Sequence, residues 1–304
     1  MRDTFIRQLT ELASEDPDIF LVVGDLGFGV IEEFATKYPK RFLNAGVSEQ
    51  NMMGVASGLA GSGFKVFVYS IANFPTMRCL EQIRNDVAYH NLNVTIVAVG
   101  AGFAYGTLGY SHFAVEDLGI MRVLPKMAIY SPGDSDELKM ILPHIIEREG
   151  PKYLRLGKNG EPSLSDSKMT SPESARLLKP GTKLVILSTG GVGIEVVKAI
   201  NELSLTSADL VAHFSVPYFS HQAIDSIGLQ NFEQIITVEE HVLDGGFGSY
   251  ILEYLESNQK LIRVKRIGIQ RSFSYEIGNQ KYLRELARLD PSSIRSEIEL
   301  SLEV

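Results

Sequence analysis

Apolar residues fall in short, nearly unbroken runs: IFLVVG at 19–24, RFLNAGV at 41–47, FKVFVYS at 64–70, LNVTIVAVG at 92–100 and KMAIYSP at 126–132. Each is rich in β-branched or aromatic residues and stopped by Gly, Pro or Ser, as strands are. The stretches 3–14, 49–61, 76–90, 115–122 and 134–149 between them read as helices. Continuous apolar strands separated by helices predict a parallel sheet covered on both faces. A polar stretch rich in Ser, Pro, Gly and Lys follows at 157–182. A second series then begins, with strands at 183–190, 208–216, 232–240 and 262–269 and helices near 191–203 and 245–258. The pattern predicts two α/β domains, at 1–165 and 181–304, joined by a linker at 166–180.

Composition narrows the possibilities. A formal charge of -8 argues against nucleic acid or an anionic membrane as the main partner. One cysteine, Cys79, excludes an internal disulfide framework and a multi-Cys zinc site. The amino terminus carries acids and no long apolar run, so a cytoplasmic protein without a signal peptide or membrane span is expected. STGGVG at 188–193 sits between a strand and a helix but lacks the third small residue of a dinucleotide fingerprint. Two Gly-Asp pairs, Gly24-Asp25 and Gly133-Asp134, continue with Leu26 and Ser135 instead of the glycine that a magnesium-diphosphate motif needs. No metal site is expected from this chain alone.

The segment GVSEQNMMGVASGLAGSGFKVFVY at 46–69 places one acid, Glu49, where a strand gives way to a helix, and follows it with small residues. On its own, Ser48 is a fair N-cap and an acid in the first turn suits the helix dipole. Ile71, Phe74 and Met77 recur at spacing three, and His112 lies in a Gly-rich loop before a helix. Taken with TVEEHVLDGGFGSYILEYL at 237–255, these segments resemble the C-terminal section of the transketolase family. That section comprises a pyrimidine-binding domain and a transketolase C-terminal domain.

The resemblance implies thiamine diphosphate as cofactor, with Glu49 hydrogen-bonding N1′ of its aminopyrimidine and helping to activate thiazolium C2. It implies that Phe74 holds the ring, with Ile71 and Met77 as neighbouring walls, and that the small residues after Glu49 help to exclude water. Asp25 and Leu26 would approach the thiazolium side, His112 would reach the donor sugar's oxygens, and Arg155 would bind substrate phosphate. Leu108 replaces an acid of the family's sugar-phosphate enzymes, Gly100 a second histidine, and Gly29 a phosphate-binding serine. Thinned polar contacts of this kind point to an altered substrate.

The diphosphate and Mg²⁺ site of the family lies in an N-terminal domain that this sequence does not supply. The implied protein is therefore one subunit of a split transketolase in an α2β2 assembly, sharing thiamine diphosphate with an N-terminal partner that holds Mg²⁺. It would act on sugars or sugar phosphates. Two alternatives share the fold: the β subunit of a 2-oxo-acid dehydrogenase E1 component, and a non-catalytic regulatory subunit.

Overall fold

The structure is a computed structural model and describes residues 1–303. Its first domain is built on a six-stranded sheet in which every neighbouring pair is parallel. The strands are β1 (Ile19–Val23), β2 (Phe42–Asn44), β3 (Lys65–Ile71), β4 (Val94–Val99), β5 (Ala128–Tyr130) and β6 (Lys152–Leu156), in the spatial order β2-β1-β3-β4-β6-β5. All five residues of β1 are buried because the sheet is covered twice. Ile19, Leu21 and Val23 join Phe5, Leu9 and Leu138 on one face, while Phe20 and Val22 join Met52, Met53 and Ile83 on the other. The period-two alternation of a strand sends successive side chains into two separate cores.

The second domain carries β7 (Arg176–Lys179), β8 (Leu184–Thr189), β9 (Val211–Ser215), β10 (Gln234–Val242) and β11 (Arg263–Ile269), ordered β11-β10-β8-β9-β7. Only β7 runs antiparallel, along the edge beside β9. It lies inside the segment expected as linker, which is therefore shorter than 166–180: Arg176 anchors that strand by donating to Asp134 at 2.8 Å.

The segment expected as one helix over 76–90 is broken. A helical turn at Asn73–Thr76 contains Pro75, a 3₁₀ turn covers Met77–Cys79, and Ile83–Ala88 is wound as a π-helix. Such departures from α geometry are frequent at functional sites. Helices at Gln280–Leu286 and Pro291–Leu302 close the chain, the second started by Asp290 as N-cap and Pro291 in the first turn. No helix is long and apolar enough to cross a membrane among the described residues.

The two Gly-Asp pairs have structural duties. Asp134 caps the helix Ser135–Glu147 by accepting from the amides of Asp136 and Glu137. Asp25, with φ of 57°, is clamped by Asn44, whose Nδ2 donates to Asp25 Oδ1 at 3.0 Å. STGGVG forms a 3₁₀ turn into the helix Gly193–Asn201. Behind that turn Glu137 is fully buried, and burial pushes its carboxyl up to about 7.

Candidate active site at the carboxyl edge of the first sheet

The chain passes from β1 outward to β2, then returns across β1 to place β3 on its other side. That reversal is a topological switch point, and open parallel sheets bind ligands at the carboxyl ends of the strands beside it. Asp25 and Leu26 follow β1, Glu49 opens the helix after β2, Ile71 ends β3 with Phe74 just beyond, and His112 lies in the loop after β4. Residues far apart in sequence thus share one edge because each follows a strand of the same sheet.

Three of them form a contiguous group. Glu49 begins the helix Glu49–Gly61, and its side chain is 7% exposed. Arg78 Nη1 donates to Glu49 Oε1 at 2.7 Å. The same guanidinium lies over the Phe74 ring, with Cζ 3.8 Å from the centroid. On another side the His112 ring meets Phe74 nearly edge-on, with centroids 5.3 Å apart at 66°. Asn73 ties the two loops together, donating from Nδ2 to the carbonyls of Phe113 and Ser111. Ser111 Oγ lies 3.0 Å from His112 Nδ1. A cavity of about 530 Å³ opens between Ser48, Glu49, Gln50, Asn51 and Arg78.

Two expected features differ. Glu49 is paired with a cation at the mouth of an open cavity instead of being enclosed by small and apolar side chains. Gly54, Gly58 and Gly61 face outward, where an added Cβ would meet nothing within 4 Å. Among the other expected wall residues, Ile71 is half-buried and Met77 is exposed in the 3₁₀ turn.

Arg155 is the larger correction. It is 2% exposed, and its Nε donates to Asp117 Oδ2 at 2.7 Å. Its Nη2 also donates to the carbonyls of Ala114, at the base of the His112 loop, and Glu240, in β10. Tyr153 completes the cluster by donating to the same Asp117 oxygen. A guanidinium engaged in this way joins the loop to the second domain, where it lines a separate cavity of about 200 Å³ and not the one beside Glu49. The cation that the sequence reading missed is Arg78. Its only sequence signal is its place four residues after Phe74, on the same side of a helical turn.

The departures also have physical reasons. Gly100 has φ of 100°, and a Cβ there would sit 2.2 Å from the Tyr105 ring, so a histidine would be strained and would displace that ring. Leu108 is exposed. The corresponding switch point of the second sheet, between β8 and β10, faces the first domain across a cavity of about 200 Å³. Glu240 accepts there from the Phe103 amide and from Arg284 Nε and Nη2.

The Glu49–Phe74 pair can grip a flat group that donates N–H in its own plane, since Arg78 presents such a group to both residues at once. An aminopyrimidine has that flat shape, and a proton shared between its N1′ and the Glu49 carboxyl makes the matching in-plane contact, so the residues present fit this part of thiamine. Among the described residues no cluster of three or more His, Cys, Asp or Glu could hold a metal ion.

An open parallel sheet with an acid and an aromatic ring at its switch point defines an α/β fold of the kind that binds ligands along that edge. Residues 1–161 match the family described as transketolase, pyrimidine binding domain, and residues 173–294 match transketolase, C-terminal domain. The chain belongs to the transketolase family and corresponds to its C-terminal section. It is 34% identical over 304 residues to a putative transketolase C-terminal section of Methanocaldococcus jannaschii, covering 98% of this chain and 95% of that one. It is 32% identical over 289 residues to a 6-deoxy-6-sulfo-D-fructose transketolase subunit of a Clostridium species, covering 94% of this chain and 89% of the relative. A solved split-gene transketolase, described as an inactive β4 tetramer, is 31% identical with a TM-score of 0.86, covering 99% of this chain and 97% of that one.

Proposed function

We propose that this chain is the C-terminal subunit of a split, thiamine-diphosphate-dependent transketolase that moves a two-carbon ketol unit from a ketose to an aldose. The carrying observation is that Glu49 and Phe74 together hold one flat N–H donor at the switch point, with His112 against the same ring. When bound, thiamine diphosphate supplies the nucleophilic carbon that accepts and releases the two-carbon unit.

The chain's own residues position and polarise. The Glu49 carboxyl turns from Arg78 to N1′ of the bound ring and donates it the proton that the two then share. Phe74 stacks on the ring and fixes its plane. His112, half-buried beside Phe74, hydrogen-bonds the donor sugar's oxygens. Asp25 and Leu26, at the end of β1, border the thiazolium side.

The remaining half of the site comes from an N-terminal partner that carries the diphosphate and Mg²⁺ ligands, in an α2β2 assembly. The outward stripe of Gly54, Gly58 and Gly61 supports this, because small residues let another backbone approach closely. Exposed Phe28, Val47 and Met77 add apolar surface along the same edge. The relative built from its β chain alone is described as inactive, and two of the relatives are described as a C-terminal section and a subunit. The substrate class is a ketose with an anionic end, phosphate or sulfonate, outside the usual set: Gly29, Gly100 and Leu108 withhold polar contacts, and relatives are described as acting on a sulfonated ketose and on apulose 4-phosphate.

The reaction class is tested with the reconstituted pair, thiamine diphosphate and Mg²⁺, offering either an aldose or a lipoyl domain as acceptor. Formation of a lengthened ketose with the aldose is expected. Acyl transfer to the lipoyl domain alone would reassign the chain to the 2-oxo-acid dehydrogenase class.

A further inference from the structure

We infer that Arg78 is a built-in plug of the aminopyrimidine seat: in the lone chain its guanidinium occupies the place between Glu49 and Phe74, and it swings out before the cofactor ring enters. The proposed function supplies the identity of the competing ligand; the plug itself rests on geometry. One guanidinium occupies both places that the ring would take, bonded to Glu49 Oε1 at 2.7 Å and lying over Phe74 with Cζ 3.8 Å from the centroid. At that separation no second flat group can lie between Arg78 and the ring of Phe74. Arginine suits the task because its planar, delocalised fork both stacks on aromatic faces and donates in its own plane.

The plug is also built to leave. The Arg78 side chain is 48% exposed, whereas Glu49 beneath it is 7% exposed. Its one ion pair and one ring contact are of the partly exposed kind that bind weakly. It sits in the 3₁₀ turn Met77–Cys79, between the helical turn at Asn73–Thr76 and the π-wound Ile83–Ala88, where the backbone is least regular. With Arg78 in place Glu49 keeps a cationic partner; once Arg78 leaves, the carboxyl is free to share a proton with the ring nitrogen.

The test uses the full chain without its partner and two small probes, 4-amino-5-hydroxymethyl-2-methylpyrimidine and methylguanidinium, followed by NMR shift titration. Apparent affinity scales with the fraction of open seats, so Arg78→Ala is expected to bind both probes roughly tenfold more tightly than the parent. A further Glu49→Ala change should remove that gain. Arg78→Lys, which keeps the charge but loses the flat fork, should bind the probes nearly as well as Arg78→Ala. Unfolding curves of the variants check that the fold is kept. Binding of methylguanidinium but not of the pyrimidine by Arg78→Ala would uphold the plug and overturn the thiamine reading. Equal or weaker binding of both probes by Arg78→Ala would overturn the plug.

Discussion

Glu49→Gln in the reconstituted pair should cut ketol transfer by about 10²- to 10⁴-fold, the usual contribution of a positioned proton-transfer group. Glutamine keeps the size and the accepting oxygen of the side chain but cannot hold the proton that a carboxyl shares with N1′. The substitution also removes the charge of the Arg78 pair, whose cationic partner is half exposed. Its effect on stability should therefore be small, within about 1 kcal/mol. The loss should appear in kcat with little change in KM, because the sugar does not touch Glu49 in this reading. Unchanged turnover would favour a regulatory subunit that has kept the fold.

The second large effect lies in stability. Arg155→Ala leaves Asp117 buried and without its guanidinium, and breaking a buried ion pair from one side costs roughly 3–5 kcal/mol. It also removes the donor to Ala114 and Glu240, so the His112 loop and the second domain lose a shared anchor. Denaturant unfolding should show the loss in the isolated chain, with no substrate present. Adding Asp117→Ala to that variant should cost little more, since the two side chains act as one unit. A variant of unchanged stability with only a raised KM would return Arg155 to the substrate site.

These two residues also show how far the sequence could be read. The strands β1, β3 and β4 were legible because burial on both faces leaves nothing but apolar residues. β6 was not, because KYLRL carries Lys152 and Arg155, types usually taken as exposed. Both are buried with partners: Lys152 donates to Asn93 Oδ1 and the Arg148 carbonyl, and Arg155 to Asp117. Asp117 lies in a different element, so no short spacing announces the pair. The edge strand β7 was hidden for a similar reason, its anchor Arg176 pairing with Asp134 from the first domain.

At the site, the order of segments gave Glu49, Phe74 and His112 together, and the switch point explains why they meet. Arg78 stood in plain view in FPTMRCL, but a sequence does not say which of two half-turn neighbours folds back over the ring. The closing helices were legible in principle: Asn279 and Asp290 are N-caps, and Pro291 is a first-turn proline. The broken stretch 73–88 defeats a periodicity argument, because 3₁₀ and π turns shift the side-chain phase in opposite directions.

The central claim is that this chain holds one half of a thiamine site and that a second chain completes it. The direct measurement is turnover of a ketose and an aldose by the purified chain, by the N-terminal partner, and by their mixture, each with thiamine diphosphate and Mg²⁺. No ketol transfer is expected from either chain alone, and transfer is expected from the mixture. Sustained turnover by this chain on its own would contradict the central claim.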